Sequence, residues 1–532
     1  MSKAMSLEAK IGQLLMFGFR GTKVTPFIRR FITENNLGGI IHFSRNISDV
    51  EQLVRLNSDL QRLAKESPGE AGLFIAVDQE GGTIARLTKE VVVAPSAMAL
   101  GATKSESITE EVCAVSGLEL RATGINMNLA PVVDVNNNPE NPVIGVRSFG
   151  EDPRTVAKLG AAAICGYQRH VAAVAKHFPG HGDTAVDSHH ELPVVSHNRS
   201  RLEAVELVPF RAAIATDVAA VMTSHVVFPA IEPSEKVPAT LSERVLTKLL
   251  RQELGFEGLV MTDCMEMKAI TESYGTVEAA VMTIEAGADM VVISHSEDLQ
   301  QEAYNALIAA VKSGRISEER IDASVARVMK IKKRFNLVGR WPADFDASIL
   351  GTAEHVQVMR EAIRSSITLV KDPVESNLPL GHERVLVIEF QENATTGAED
   401  ILVDMGSLGR ALKNQGLAHL EAVTVGTSLS GDEQRAVVAK ALEFEKVVIV
   451  TADAHRNLEQ AELVQALQKE HENVLAIGIR TPYELQAFPN IPTYIAAYGS
   501  RPLVWEEVSQ VLLGRYEAQG TLPVTIPGVS FP

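Results

Sequence analysis

The chain has only three cysteines in 532 residues, Cys113, Cys165 and Cys264, too few and too scattered for a disulfide framework or a zinc knuckle. A reducing interior suits such a sequence. It also lacks positive charge: 50 Lys and Arg stand against 67 Asp and Glu, a formal charge of −17, which argues against a nucleic-acid surface. No apolar run approaches the ~20 residues needed to span a bilayer. Met1 to Lys10 is polar and alternately charged, without the cationic region and apolar segment of a signal peptide. The expectation is a cytoplasmic protein with no nucleic-acid or membrane partner. No internal repeat or low-complexity tract stands out. What is present is ordinary for a globular chain, 45% hydrophobic and 22% charged, at a length that should hold at least two domains.

Short apolar runs alternate with helix-like segments from the N-terminus onward. The runs are Gln13 to Phe19, Gly38 to Phe43, Leu73 to Val77, Ile125 to Val133, Val171 to Ala175, Val218 to Ser224, Gly258 to Thr262 and Asp289 to Ser294. Capping signals separate them: Ser48 opens one helix, and Thr240-Leu-Ser242-Glu243 opens another ahead of Val245, Leu249 and Leu250. Eight such units predict an N-terminal (β/α)₈ TIM-like barrel over residues 1–340, with an open doubly wound sheet as the alternative. In a barrel of this kind catalytic groups stand just after the strands' C-terminal ends. Polar residues collect there: Asp78, Arg147, Lys176 and His177, His225, Asp263, and Ser294 with His295.

Ser317 to Phe335 reads as a long helix with Ile321, Val325, Val328 and Ile331 on one stripe, its basic end Lys330 to Arg334 reading as a solvated face. Residues 341–378 read as a linker around Trp341 and a connecting helix, Glu361 to Val370. Residues 379–532 then form a smaller C-terminal α/β/α sandwich domain, with strands at Val385 to Ile388, Lys446 to Thr451, Val474 to Ile479 and Thr493 to Ala497 and a helix at Leu458 to Glu470. It carries no Gly-rich phosphate motif, no cysteine and no obvious catalytic pair. A structural or dimerisation role is its expected one, with a monomer or homodimer as the assembly.

The chain's chemistry centres on Val174 to Pro193, VAKHFPGHGDTAVDSHHELP. Pro179, Gly180 and Gly182 forbid regular structure, so the segment is a loop bringing His181, Asp183, Asp187, Ser188 and His189 into one small volume. Three readings are open. The first is a metal site built from His177, His181, Asp183, His189 and His190, although Pro179 and Gly180 keep His177 and His181 off one helical face. The second is a structural loop. The third is acid/base catalysis by Asp187 and His189, the carboxylate fixing the imidazole tautomer and raising its pKa. Asp263, at the end of a buried strand, is either a helix cap or an ionised nucleophile. Asp78 invites the same choice, with substrate hydroxyls as its partners.

KHFPGHGDTAVDSHHELP resembles the hallmark of glycoside hydrolase family 3 in its β-N-acetylglucosaminidase branch, the NagZ-type enzymes. The resemblance continues through DQEGG (Asp78 to Gly82) with Arg86, APVVDVN (Ala130 to Asn136), RSFGEDP (Arg147 to Pro153), ELVPFRAAI (Glu206 to Ile214), VMTSHVVFPA (Val221 to Ala230) and VMTDCMEMKAI (Val260 to Ile270). It covers the first domain, and the tail GTLPVTIPG (Gly520 to Gly528) looks like the end of the two-domain form. The resemblance implies that Asp263 is the nucleophile of a retaining mechanism and that His189, paired with Asp187, is the acid/base. It implies that Asp78, Arg86, Arg147, Lys176, His177 and His225 bind the sugar, and that no metal or cofactor is needed. The chain departs from the family at Thr83, where an arginine is common, and at Cys264, for which a small apolar neighbour is the expected role rather than a thiol nucleophile. The implied activity is exo-β-N-acetylglucosaminidase action on muropeptides or chitooligosaccharides. The alternatives are a β-N-acetylglucosaminide phosphorylase and a catalytically inactive sugar-binding protein.

Overall fold

Eight parallel strands follow one another around a closed barrel: β1 (Leu15–Phe17), β2 (Gly39–His42), β3 (Phe74–Val77), β4 (Met127–Asn128), β5 (Ala172–Phe178), β6 (Ala220–Thr223), β7 (Leu259–Cys264) and β8 (Met290–Ile293). The computed structural model describes residues 5–69, 71–185, 192–234, 236–339, 341–342, 344–372, 377–391, 399 and 406–529. All eight apolar runs are strands, and Leu15 of β1 pairs with Val291 of β8, which closes the barrel and excludes an open sheet. Parallel strands covered by helices are buried on both faces, so they read as unbroken apolar runs. Every residue of the eight strands is buried except the last two of β7, Asp263 and Cys264.

The surrounding helices owe their apolar faces to spacings of three and four. In Val50–Ala64 the buried Leu53, Leu56, Leu60 and Leu63 form one stripe. Its cap is Asp49, whose carboxylate accepts from the Gln52 N–H at 2.8 Å, rather than Ser48, which donates to Asp49. Ser242 accepts from the Val245 N–H at 3.2 Å and opens the helix that buries Val245, Leu249 and Leu250.

The helix Glu318–Arg334 corrects one reading of its basic end. Lys332 is not solvated: it is fully buried, its Nζ donates to Gln13 Oε1 at 2.8 Å, and it lies 5.2 Å from the centre of the Phe74 ring. Lys332 stands four residues after Val328, on the apolar stripe, and so enters the barrel's floor with the leucines and isoleucines.

A second sheet of six strands contains β9 (Thr368–Lys371), β10 (Val385–Phe390), β11 (Leu420–Val425), β12 (Lys446–Thr451), β13 (Val474–Gly478) and β14 (Thr493–Ala496), in the order β9-β14-β13-β12-β10-β11. Only β9 runs antiparallel, against β14. The stretch Glu361 to Val370 is not one helix. A helix Ala353–Ser366, capped by Thr352, ends there, and the β-branched run that follows becomes β9 because β14 offers it an open edge. β11 is the other strand beyond the four expected.

The two sheets share a seam. Met98, Ala99, Ala102 and Val146 of the barrel side join one apolar cluster with Leu386, Ile449, Tyr483 and Tyr494. Tyr483 Oη donates to the Asn136 carbonyl and accepts from its Nδ2, both at 3.2 Å, and Arg501 donates to the Gly82 carbonyl at 3.2 Å. The chain's last stretch returns to the barrel: the Glu151 N–H donates to the Pro523 carbonyl at 3.1 Å, while Val524 and Ile526 are buried. No helix among the described residues is long and apolar enough to cross a membrane.

Burial drives the Lys332 ammonium down from its ordinary value to about 7. The unfolded chain therefore binds one more proton than the folded one between about pH 7 and the usual lysine range, and this residue makes stability rise with pH across that window, at up to about 1.4 kcal/mol per unit. In Lys332→Met that contribution should vanish. The melting temperature of the wild type, measured relative to the variant by scanning calorimetry, should climb from pH 7 to pH 9. A constant difference would show that Lys332 keeps its charge in the fold.

Candidate active site

The C-terminal ends of the barrel strands surround a cleft of about 410 Å³ lined by Asp78, Arg86, Arg147, Lys176, His177 and Asp263, among others. Its floor is the packed interior of the barrel. Asp78 follows β3 directly, Lys176 and His177 lie inside β5, Asp263 lies in β7, and Arg147 ends a single 3₁₀ turn, Gly145–Arg147.

Four charged groups interlock at the side of this cleft. Lys176 Nζ lies 2.7 Å from both Asp78 Oδ1 and Glu80 Oε1. Arg147 forms a two-pronged pair with Glu80, both bonds at 2.8 Å, and donates to the Val143 carbonyl at 3.0 Å. Lys176, Arg147 and Glu80 are almost wholly withdrawn from water. Burial alone would neutralise them. Instead, desolvation of Lys176 is outweighed by Asp78 and Glu80, which hold its ammonium above the ordinary value. Desolvation of Glu80 is likewise outweighed by Arg147 and Lys176, which hold its carboxyl well below the usual range.

A second buried carboxylate organises the histidines. Asp134 is 2.8 Å from His177 Nδ1 and accepts from the backbone N–H of His177 at 3.2 Å and of His181 at 2.7 Å. Burial raises its pKa, but His177 and His181 pull it below the ordinary value. With Nδ1 of His177 on a carboxylate, Nε2 turns toward Arg147, 3.5 Å away, and presents an acceptor to the cleft. His181 is pushed down to about 4 by burial, with His177 adding to the effect, so it stays neutral; its Nδ1 meets the Thr184 hydroxyl at 2.8 Å. Asn141 donates to the carbonyls of His181 and Gly182 at 2.9 and 3.0 Å, tying the two loops together. Position 182 must be glycine, because a Cβ there would stand 1.8 Å from the Val135 carbonyl oxygen.

Across the cleft, the Cys264 N–H donates to Asp263 Oδ1 at 2.7 Å. Glu266 accepts the N–H groups of Ser294 and His295, both at 2.7 Å, and of Ser296 at 2.9 Å, and so shapes the turn after β8. Arg45 donates to the Ser294 carbonyl at 2.7 Å from the other side. Burial pushes the Cys264 thiol up to about 12, which leaves it protonated and no nucleophile.

The structure thus brings Asp78, Arg86, Arg147, Lys176, His177 and Asp263 together. His225 is buried, with Nε2 3.0 Å from the Cys264 carbonyl oxygen at the end of β7. Asp187, His189 and His190 lie outside the described residues. The segments on either side meet where His197 Nε2 hydrogen-bonds with the Asp183 carboxylate, with Arg201 4.0 Å from Asp183. Glu80, Asp134, Glu266 and Arg45 have no role assigned from sequence, although the first three fall inside the motifs. The signal available for Glu80 and Asp134 was an acidic residue at the end of an apolar run, the same one that marks Asp78 and Asp263.

A parallel barrel with a charged cleft at its strand ends is the architecture of many enzymes, and comparison with known proteins narrows the class. Residues 6–331 match the profile of the glycosyl hydrolase family 3 N terminal domain. The chain is 32% identical to beta-hexosaminidase A of Pseudoalteromonas piscicida over 98% of this chain and 97% of that protein. It is 31% identical to a beta-N-acetylglucosaminidase/beta-glucosidase of Cellulomonas fimi over 98% of this chain and 94% of that one. The solved structure of a glycoside hydrolase family 3 beta-N-acetylglucosaminidase from Paenibacillus sp. str. FPU-7 superposes with a TM-score of 0.93 at 43% identity, covering 98% of this chain and 99% of that one. The chain belongs to glycosyl hydrolase family 3 and is a glycoside hydrolase.

Glu80→Gln removes one of the two carboxylates that hold Lys176 and Arg147. Leaving two buried cations with Asp78 alone should cost about 3 kcal/mol of stability. The lower pKa of Lys176 should also move the alkaline limb of the kcat/KM profile to lower pH. A pH profile identical to wild type would separate Glu80 from the charge state of the site.

Proposed function

We propose that the enzyme is a retaining exo-β-N-acetylglucosaminidase that removes non-reducing terminal GlcNAc from GlcNAc-MurNAc or GlcNAc-anhydroMurNAc muropeptides, in cytoplasmic peptidoglycan recycling, with chitooligosaccharide ends as a second substrate. The observation that carries this reading is the position of Asp263. It lies at the end of β7, is partly exposed, and lines the same cleft as Lys176 and Arg147. The similarity to hexosaminidases over the full chain supports the sugar, and the motif match supports the roles. Free thiols at Cys113, Cys165 and Cys264 suit a reducing compartment.

In this mechanism the sugar enters with its hydroxyls and acetamido group against Asp78, Arg86, Arg147, Lys176 and His177. Asp263 attacks the anomeric carbon while His189, oriented by Asp187, gives a proton to the departing oxygen. The glycosyl-aspartate ester that forms is then opened by water, from which His189 takes a proton. A neutral imidazole can play the base in that second step without adding negative charge beside the ester. Two displacements at one carbon return the starting configuration.

Release of nitrophenol from 4-nitrophenyl β-GlcNAc, with and without phosphate and with the sugar product identified, tests this directly. Free GlcNAc at a phosphate-independent rate is expected, whereas GlcNAc-1-phosphate would make the enzyme a phosphorylase. Asp263→Ala should fold normally and lose roughly 10³-fold or more in turnover; near-normal turnover would remove Asp263 from the nucleophile's role. His189→Ala should lose about 10²-fold on a disaccharide and far less on the aryl glycoside, whose leaving group needs little protonation. Equal losses on both substrates would argue against the acid.

A further inference from the structure

The larger of the two clefts described in this molecule is not the one that holds Asp263. A cleft of about 560 Å³ opens at the C-terminal ends of the second sheet. The parallel strands there run β11-β10-β12-β13-β14, so the chain steps outward from β10 to β11 and then crosses back to β12. In open parallel sheets the crevice at such a reversal is where ligands bind. The walls come from both sides of the reversal: Phe390 and Gln391 at the end of β10, Thr424 and Thr427 at β11, and Thr451 and Asp453 at β12.

We infer that this cleft is a second saccharide site, which takes a short N-acetylglucosaminyl oligosaccharide without cleaving it. Its charges balance. Glu389 and Asp453 line it with Arg456 and Arg480, and each is already engaged. Glu389 accepts from the Ser407 hydroxyl at 2.8 Å and the Leu408 N–H at 2.7 Å, Asp453 accepts from the Thr481 hydroxyl at 2.5 Å, Arg480 is paired with Glu399 at 2.6 Å, and Arg456 donates to the Asn141 carbonyl at 3.3 Å. A phosphate would need uncompensated cations, and this domain's sequence has no Gly-rich phosphate motif. A neutral, polyhydroxylated ligand is what such a lining fits. Trp505 supplies the second observation. It lines the cleft, is 2% exposed, and its indole Nε1 has no hydrogen-bond partner among the described residues. A buried indole N–H ordinarily finds an acceptor, and a sugar hydroxyl or acetamido oxygen would provide one.

The position of the cleft argues for the same sugar that the enzyme handles. Asp453, Arg456 and Arg480 also line the seam between the two sheets, together with Asn141 and Arg147. Arg147 in turn belongs to the active-site cleft, so one run of residues leads from the reacting sugar to Trp505. The choice of sugar rests on the proposed substrate class, and its test is kept separate from turnover.

The chain has two tryptophans, which makes the test direct. In full-length Asp263→Asn protein labelled with ¹⁵N-tryptophan, triacetylchitotriose should shift the Trp505 indole N–H resonance saturably. The Trp341 resonance, whose Nε1 donates to the Gln61 carbonyl at 3.2 Å, should stay in place, and Trp505→Phe identifies the two signals. Thr427→Tyr, which fills the cleft from its rim, should weaken the response about tenfold or more while wild-type protein carrying the same change still hydrolyses 4-nitrophenyl β-GlcNAc normally. A Trp505 signal that ignores millimolar saccharide overturns the site. So does a response unchanged in Thr427→Tyr, and a response to inorganic phosphate alone overturns the ligand class. Failure of the aryl glycoside assay would count against the proposed activity and leave the resonance experiment to be read on its own.

Discussion

The active site depends on a rule of electrostatics: a charge taken out of water must be met by an opposite charge or it will neutralise. Lys176 and Arg147 stay cationic at the top of an apolar barrel because Asp78 and Glu80 meet them there, at 2.7 to 2.8 Å. These residues come from segments far apart in the chain, so no local structure can assemble them. Barrel closure does it, setting β3 and β5 on either side of β4 and placing their ends one strand apart. The desolvation is met once, during folding, and a sugar entering the cleft encounters donors and acceptors already in place.

The same rule explains the arrangement of the histidines. Asp134 carries its negative charge among His177, His181 and two backbone N–H groups, which spreads the load over rigid partners. Glu266 does for the turn after β8 what Asp134 does for the loop after β5, with three backbone donors instead of imidazoles. Asp263, partly exposed at the end of β7, is followed three residues later by the Glu266 that anchors the turn after β8.

How much of this was legible in the sequence follows from the range of the interactions. The eight barrel strands were, because burial on both faces turns each into a continuous apolar run. β11 was not: most of its residues are at least partly exposed, so it has no apolar run to show. β9 escaped because it is only four residues long and begins directly behind a helix. Lys332 was hidden by its own charge, which outweighed the spacing that puts it beside Val328. In the site, Asp78, Lys176, His177 and Asp263 could be found from their places at strand ends. Asp134 and Glu80 could not be given roles, since their meaning lies in partners 43 and 67 residues away. His225 was grouped with the sugar-binding residues on the strength of its motif, and its ring nitrogen lies 3.0 Å from the carbonyl oxygen of Cys264, next to Asp263 in the chain.

The path of the final residues has a consequence for how this protein can be taken apart. After completing the second sheet, the chain comes back to lay Pro523 against Gly150 and to bury Val524 and Ile526. Gly150 follows Arg147 by three residues, so the C-terminal stretch buttresses the loop that carries a cation of the active site. The two halves are therefore linked as a strap is buckled, fastened at the linker and again at the tail. Cutting the gene after the barrel would remove the buckle along with the second sheet, and a barrel designed to stand alone would need a new brace for the Arg147 loop.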